Sequence, residues 1–382
     1  MNNLIGGTAI KVLHIFGKMN RGGAEMRTLE LLPHLQKNGI HLDFCTLGES
    51  GEGHLDAQLQ ELGSTIYECP LDAGIWRFSR TFLNLLKAHR YDVVHSHVHY
   101  ASGFILFLAA RAKVPGRILH FRNTTDGCPA TWKRKAYRRL MMNFADCSAN
   151  KILAVCRGAM EAGWGGRWQQ DRRAEVLYNG IDLSRYQSTG MCKQDLRLQL
   201  GLETDGSYLI NVGRFNPQKG HDLLIEAFSK FYQQFPKVKL LLIGDGPLKL
   251  ESEKKVQSLG LADQIRFLGL RSDVPLWLQA SDGFVLSSHW EGLPGVVLEA
   301  VAAGLPVVST AVPGSVEIAE FTDLVKTVPI GDVEALAGGM MDLVDRFDQT
   351  SQTKDMFQRS FEVENVAARL GCIYQEILKP KV

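Results

Sequence analysis

Short apolar runs rich in β-branched residues alternate with longer amphipathic segments along most of the chain. Strands buried on both faces read as nearly continuous apolar runs, so this alternation predicts parallel sheets covered by helices. IKVLHIF (10–16) reads as the first strand and MRTLELLPHLQKNG (26–39) as a helix closed by Gly39. HLDFCTL (41–47), TIYEC (65–69), DVVHSH (92–97), RILHF (117–121), KILAVC (151–156) and AEVLYNGID (174–182) continue the strands of a first half. Helical segments at 54–63, 77–90 and 101–112 separate the earlier ones.

A second series opens at SYLINVGRF (207–215) and runs through a helix at 222–235, KLLLIGDGP (239–247) and QIRFLG (264–269). A helix at 273–280, GFVLSS (283–288) and PVVST (306–310) complete it. Residues 183–206 are polar without a strong strand and read as a linker, and a last helix is expected from about Asn365 to Leu378. The pattern therefore predicts two doubly wound α/β domains, over 1–185 and 186–360. Such domains bind ligands beyond the carboxyl ends of their strands, and the cleft between them is the expected site.

Composition changes little: 382 residues at 45% hydrophobic suffice for two cores. The N-terminal sequence lacks a basic-then-apolar leader pattern and no run of about 18 apolar residues occurs, so neither a signal peptide nor a spanning helix is expected. Seven scattered cysteines without a CxxC pair point to a reducing compartment and away from a zinc ribbon. The net charge of +2 hides an asymmetry, since residues 1–185 carry 24 Lys and Arg against 16 Asp and Glu. A basic first half suits an anionic surface or a phosphorylated acceptor, or simply a solvated basic face.

The most informative segment is EGLPGVVLEA (291–300), in which two carboxylates stand eight positions apart around a Gly/Pro turn. With a helix beginning near Pro294, Glu291 lies in the loop before it and Glu299 on its first turn. Free backbone N–H groups at Leu293, Gly295, Val296 and Val297 then favour an anion, and the glutamates take hydroxyl groups on either side of it. A phosphate flanked by sugars is the simplest fit. VGRFNPQKG (212–220) follows a strand and offers Arg214 as a bidentate fork and Lys219 as a mobile point charge, the pair that a departing pyrophosphate requires.

GKMNRGGAE (17–25) places Gly22 and Gly23 between a strand and a helix, where they form an ordinary turn or let the backbone approach a phosphate. Neither GxGxxG nor GxxxxGK[ST] occurs, which counts against nicotinamide dinucleotides and P-loop chemistry. Gly244 in IGDGP (243–247) shapes the mouth of the pocket, and Leu270 in FLGL (267–270) offers backbone to a nucleobase edge. HSHVHY (95–100) aligns His95, His97 and His99 only if the strand continues; with no carboxylate in the motif a metal site is not expected. His97 is instead expected to reach the ligand while His95 packs locally. Arg122 in HFRNTTDG faces an acceptor phosphate in this reading. ATWKRKAYRRLMMNF (130–144) and IWRFSRTFLNLLKAHR (75–90) suit helices on a membrane surface and solvated helices equally well.

RGGAE (21–25), HSH (95–97), NGID (179–182), VGRFNPQKG, IGDGP and EGLPGVVLEA occur in the order found in group 1 glycosyltransferases, the retaining enzymes of family 4, and the chain resembles them over nearly its whole length. The bacterial exopolysaccharide and surface-glycan transferases are the most similar branch. The resemblance implies the GT-B fold, two Rossmann-like domains with the nucleotide-sugar donor held by the second and the acceptor by the first. It also implies that residues 361–382 form a helix returning to the first domain. Arg214 and Lys219 then bind the donor diphosphate, Glu299 the ribose hydroxyls and Glu291 the donor sugar; Gly23 approaches the phosphate and His97 meets the sugar near the reacting carbon. It further implies front-face attack assisted by the leaving phosphate, with no metal and no cofactor.

A UDP-sugar is the expected donor, a glycan or lipid-linked hydroxyl the acceptor, and the cytoplasm or its membrane face the location; no nucleic-acid partner is expected. Arg122 stands where many relatives carry His, and Pro313 in AVPGS replaces a commoner glycine. A nucleotide-sugar epimerase, a pyridoxal-phosphate phosphorylase and a non-catalytic glycan-binding protein share the fold and stand as rival readings.

Overall fold

The computed structural model describes residues 9–20, 22–48, 51–166, 168–187, 190–347 and 355–379. The chain divides into two units, one of Met1–Gly180 with Val363–Val382 and one of Ile181–Glu362.

The first unit holds a seven-stranded sheet of β1 Ile10–Phe16, β2 Ile40–Thr46, β3 Ile66–Glu68, β4 Val93–Ser96, β5 Gly116–Phe121, β6 Lys151–Ala154 and β7 Ala174–Val176. Its order is β3-β2-β1-β4-β5-β6-β7, and every pairing is parallel. The order reverses between β1 and β4, which makes the ends of those two strands the switch point where such sheets bind ligands. Helix Gly23–Lys37 and the last helix, Val363–Leu378, cover one core, in which Leu32, Phe44 and Ile118 pack with Leu370, Ile373 and Tyr374.

The second unit holds a six-stranded parallel sheet of β8 Ser207–Val212, β9 Val238–Ile243, β10 Ile265–Gly269, β11 Gly283–Leu286, β12 Val307–Thr310 and β13 Val325–Val328, ordered β10-β9-β8-β11-β12-β13. Its switch point lies between β8 and β11. Helices His221–Tyr232 and Val333–Val344 bury Phe228, Phe231, Leu336 and Met340 against Leu240, Leu242 and Val308.

The segment expected as a linker is partly ordered into this unit. Helix Lys193–Gln199 forms there, and its Arg197 donates two bonds to Asp282, at 2.8 and 2.7 Å, and one to the Ala280 carbonyl. A buried guanidinium is tolerated only when its donors are met, and this fork supplies the match. The polar composition of 183–206 thus hides a buried ion pair.

Candidate active site

Alternation along parallel strands puts four histidines on one face of the first sheet. His14 of β1 pairs in register with His95 of β4, and His97 and His120 follow on the same face. All four are buried. His14 Nδ1 lies 3.0 Å from His97 Nε2, His14 Nε2 lies 3.0 Å from the Tyr374 hydroxyl, and that hydroxyl lies 2.8 Å from His95 Nδ1. His95 Nε2 stands 3.1 Å from His120 Nδ1. The His97 ring stacks on Phe16 with centroids 4.3 Å apart.

Arg122, just after β5, caps this cluster. Its Nε donates to His97 Nδ1 at 3.1 Å, Nη1 to Asn179 Oδ1 at 2.8 Å and Nη2 to Thr28 Oγ1 at 3.3 Å. Burial lowers its pKa to about 10, although Glu25 and then Tyr374 oppose the shift. Burial also holds His14 down at about 3, with the guanidinium adding to the effect. Desolvation, followed by the neighbouring imidazoles and Arg122, pushes His95 and His97 well below the ordinary histidine range. For His120 the causes are burial, Arg122 and His14. The four rings are therefore neutral at physiological pH. Glu25, in the first turn of helix Gly23–Lys37, has its carboxyl pKa raised by burial.

HSHVHY does not behave as one cluster. β4 ends at Ser96, and His99 turns away in a one-turn helix at φ 49°, its ring against Tyr100 and Phe121. His14 takes the third place instead, and ring nitrogens of His14, His95 and His97 come within 4.8 Å of one another. Such proximity suits a metal ion, but these nitrogens already bond one another, Tyr374 and Arg122. A divalent ion would also sit beside a half-buried guanidinium, an unfavourable Coulomb pairing at low dielectric.

At the β1 end, Gly22 precedes helix Gly23–Lys37 without a side-chain cap, and a Cβ added at Gly23 would meet nothing within 4 Å. The backbone is open there, as a phosphate approach requires. Arg21 lies outside the described residues.

At the switch point of the second sheet, the loops after β8 and β11 are bound together. Lys219 Nζ donates to Glu291 Oε1 at 2.6 Å, Ser288 Oγ to the same oxygen at 3.0 Å, and Gln218 Nε2 to Oε2 at 3.2 Å. Gln218 also donates to the Trp290 carbonyl, and Ser287 Oγ to the Lys219 carbonyl. Glu291 is buried. Arg214, by contrast, is exposed, and the structure does not bring it into this group.

Helix Gly295–Ala302 starts after Pro294, also without a side-chain cap. The amides of Gly295 and Val296 stand at its opening for an anion, whereas the Val297 N–H, expected to be free, donates to the Pro294 carbonyl at 3.0 Å as the helix closes its first turn. Glu299 is the fifth helical residue, on the second turn rather than the first, and is buried.

Several glycines serve loop packing. A Cβ at Gly244 would stand 2.0 Å from the Gly213 carbonyl oxygen, and one at Gly246 would stand 2.4 Å from that of Phe215. The turn after β9 thus presses directly on the loop that carries Arg214 and Lys219. Gly314 backs onto the Gly292 carbonyl in the same way, and Pro313 opens helix Pro313–Ala319, where its missing N–H costs no helical bond. Leu270 follows β10 and is exposed.

His14, Thr28, Tyr374 and Ser288 join these groups without having been marked in the sequence, and Asn179 and Gln218 stood inside the NGID and VGRFNPQKG motifs with no role assigned. A polar ring inside the apolar run IKVLHIF was the one available signal, for His14.

Comparisons with known proteins identify the family and the fold. Residues 193–354 match the family model described as Glycosyl transferases group 1, and residues 21–185 match that of Glycosyltransferase Family 4. The chain is 30% identical over 308 residues to the putative glycosyltransferase EpsF of Bacillus subtilis (strain 168), covering 78% of each chain. It is 30% identical over 319 residues to the capsular polysaccharide biosynthesis glycosyltransferase CapH of Staphylococcus aureus, covering 82% of this chain and 84% of that one. The crystal structure of Anabaena Alr3699/HepE in complex with UDP superposes with a TM-score of 0.80 at 20% identity, over 96% of this chain and 100% of that chain.

Proposed function

The chain belongs to the group 1 glycosyltransferases of family 4 and has their GT-B fold, and on that premise we propose that it is a retaining enzyme moving a hexose from a UDP-sugar to a glycan or lipid-linked hydroxyl in surface-polysaccharide synthesis. The carrying observation is the Lys219–Glu291 group at the β8/β11 switch point, braced by Ser288 and Gln218 beside an uncapped helix. In this reading Lys219 leaves its carboxylate partner for the donor diphosphate, Arg214 joins from the exposed part of the same loop, and the amides of Gly295 and Val296 complete the anion site. Glu291 receives sugar hydroxyls, Glu299 the ribose, and Gly244 and Leu270 border the nucleotide; Gly23 leaves backbone open to phosphate, while Gly22, the other glycine of the pair, has its N–H bonded to the Asn20 carbonyl and the Glu25 carboxylate beside it. His97 serves the sugar near the reacting carbon. Arg122, a half-buried cation whose hydrogen-bond partners His97, Asn179 and Thr28 are neutral and which has the Glu25 carboxyl nearby, is assigned to an anionic acceptor group.

UDP is supported as the donor nucleotide by the UDP and UDP-glucose complexes of Alr3699/HepE, and the surface-glycan role by the names of EpsF and CapH. No metal or other cofactor enters this reading, because the cation pair and helix amides neutralise the leaving group. Release of UDP that depends on an acceptor tests it; conversion of the donor without an acceptor would indicate an epimerase instead.

The same reading places the enzyme at the cytoplasmic face of a membrane. No helix among the described residues is long and apolar enough to cross one. Helices Ile75–His89 and Trp132–Ser148 both pack on helix Ser102–Arg111 and present Trp76, 88% exposed, and Trp132, 76% exposed. Two of the five cations near the start of the second helix, Arg134 and Arg138, are tied to Asp126, which leaves Lys133, Lys135 and Arg139 for anionic lipid. The protein is expected to sediment with vesicles of anionic phospholipid at low salt and to be released as salt rises. Absence from the pellet at low salt would remove the membrane assignment.

A further inference from the structure

The buried histidines form a chain whose hydrogen-bond direction is fixed from one end. A guanidinium Nε–H can only donate, so His97 Nδ1, 3.1 Å from Arg122 Nε, is an acceptor. A neutral His97 then carries its proton on Nε2 and donates to His14 Nδ1. His14 in turn carries its proton on Nε2 and donates to the Tyr374 oxygen. The phenol is the one member able to accept and donate at the same atom, and it passes its proton to His95 Nδ1. His95 Nε2–H donates to His120 Nδ1, and the chain ends at His120 Nε2, a buried nitrogen with no partner among the described residues. From Arg122 to Tyr374 each link is satisfied only in this direction, because reversing His97 or His14 would set two donors or two bare lone pairs face to face.

We propose that His14 and Tyr374 are positioning residues for His97, fixing it as the neutral Nε2–H tautomer through this one-way chain. The inference rests on the reading that His97 serves the transferred sugar, and adds what holds that ring. Which nitrogen of a histidine bears the proton is set by the bond its other nitrogen makes. Here Arg122 makes the first of those bonds and His14 the second, while Tyr374 selects the form of His14 that can accept. Tyr374 comes from the last helix, so that helix supplies a residue to the β1/β4 switch point as well as packing area. The Phe16 stack holds the plane of the ring, and the two hydrogen bonds hold its rotation.

The test uses the full-length protein with 15N-labelled histidine, its ring signals assigned by single histidine substitutions. In the wild type at pH 7, His97 is expected to show a pyrrole-type Nε2 and a pyridine-type Nδ1. An Nδ1–H or doubly protonated His97 would overturn the proposal whatever the activity. In Tyr374→Phe, His14 loses its acceptor, so the His14 signals are expected to show tautomer exchange and the His97 Nε2 signal to shift as its own acceptor is lost part of the time. The same variant is expected to lower kcat about 10- to 100-fold with donor KM little changed. His14→Gln, which keeps one donor and one acceptor, should retain more turnover than His14→Leu. Unchanged His97 signals and turnover in Tyr374→Phe would also overturn it. His97→Ala separates the two readings: normal turnover there defeats the sugar assignment, while the wild-type tautomer independently decides the chain.

Discussion

Replacing Lys219 or Glu291 by alanine is expected to abolish measurable sugar transfer, with kcat/KM falling about 100- to 1000-fold or more, the scale of losing one preorganised charge partner at a developing anion. The two variants differ in what they leave behind. Glu291→Ala frees Lys219 from its 2.6 Å partner and leaves the cation available to a diphosphate, so nucleotide binding should survive while turnover is lost. Lys219→Ala removes the cation from a buried carboxylate that keeps the neutral Ser288 and Gln218 donors. That variant should bind nucleoside diphosphate poorly and lose stability of order 1–3 kcal/mol, the usual cost of a buried group left partly unsatisfied. Initial-rate assays paired with thermal melts separate these outcomes. Near-normal turnover in both variants would remove the site assignment.

The second large effect is acid sensitivity of the first unit. His14, His95, His97 and His120 are neutral in the folded chain because burial and Arg122 depress their pKa values, that of His14 to about 3. Unfolded histidines titrate near 6.5, so below that pH the unfolded chain binds protons that the folded chain refuses. Stability from these groups is present above about pH 6.5 and is lost as pH falls toward the folded value near 3. Each ring that stays neutral costs at most about 1.4 kcal/mol per pH unit well below pH 6.5, and four together at most about 5.6 kcal/mol per unit, set against a domain stability of roughly 5–15 kcal/mol. The melting transition of the first unit should fall steeply between pH 6.5 and 5 and vanish near pH 5. A melting temperature that stays flat over that range would contradict the buried neutral cluster.

The sheets were legible because every central strand is buried on both faces. IKVLHIF, KLLLI and PVVST announce themselves by hydrophobicity alone, and β1 has the bounds read from its sequence. Elements that bury little were not legible. Helix Lys249–Ser258 has only Ser252 and Val256 buried and so lacks an apolar stripe, and β13, VKTV, is a short edge strand with an exposed lysine.

At the site, local motifs were visible and their partners were not. Lys219 and Glu291 stand out in their own loops, and proximity of both loops to one switch point joins them. The histidine chain depends on register between β1, β4 and β5 and on a tyrosine 277 positions from His97, contacts set by topology that leave no local mark. The glycines after β9 were read as shaping a ligand mouth, and their close packing against the Gly213 and Phe215 backbone is a second demand that left no mark in the sequence. Arg214 was read as an equal partner of Lys219, and the structure leaves it exposed.

The most direct test of the central claim is the stereochemistry of transfer. The wild-type protein is incubated with α-linked UDP-hexoses, alone and with a short polyprenyl-diphosphate sugar as acceptor, and followed by proton NMR. The account predicts UDP release and a new glycosidic bond with the α configuration of the donor. A β-configured product, or a donor epimerised without any acceptor, would contradict it.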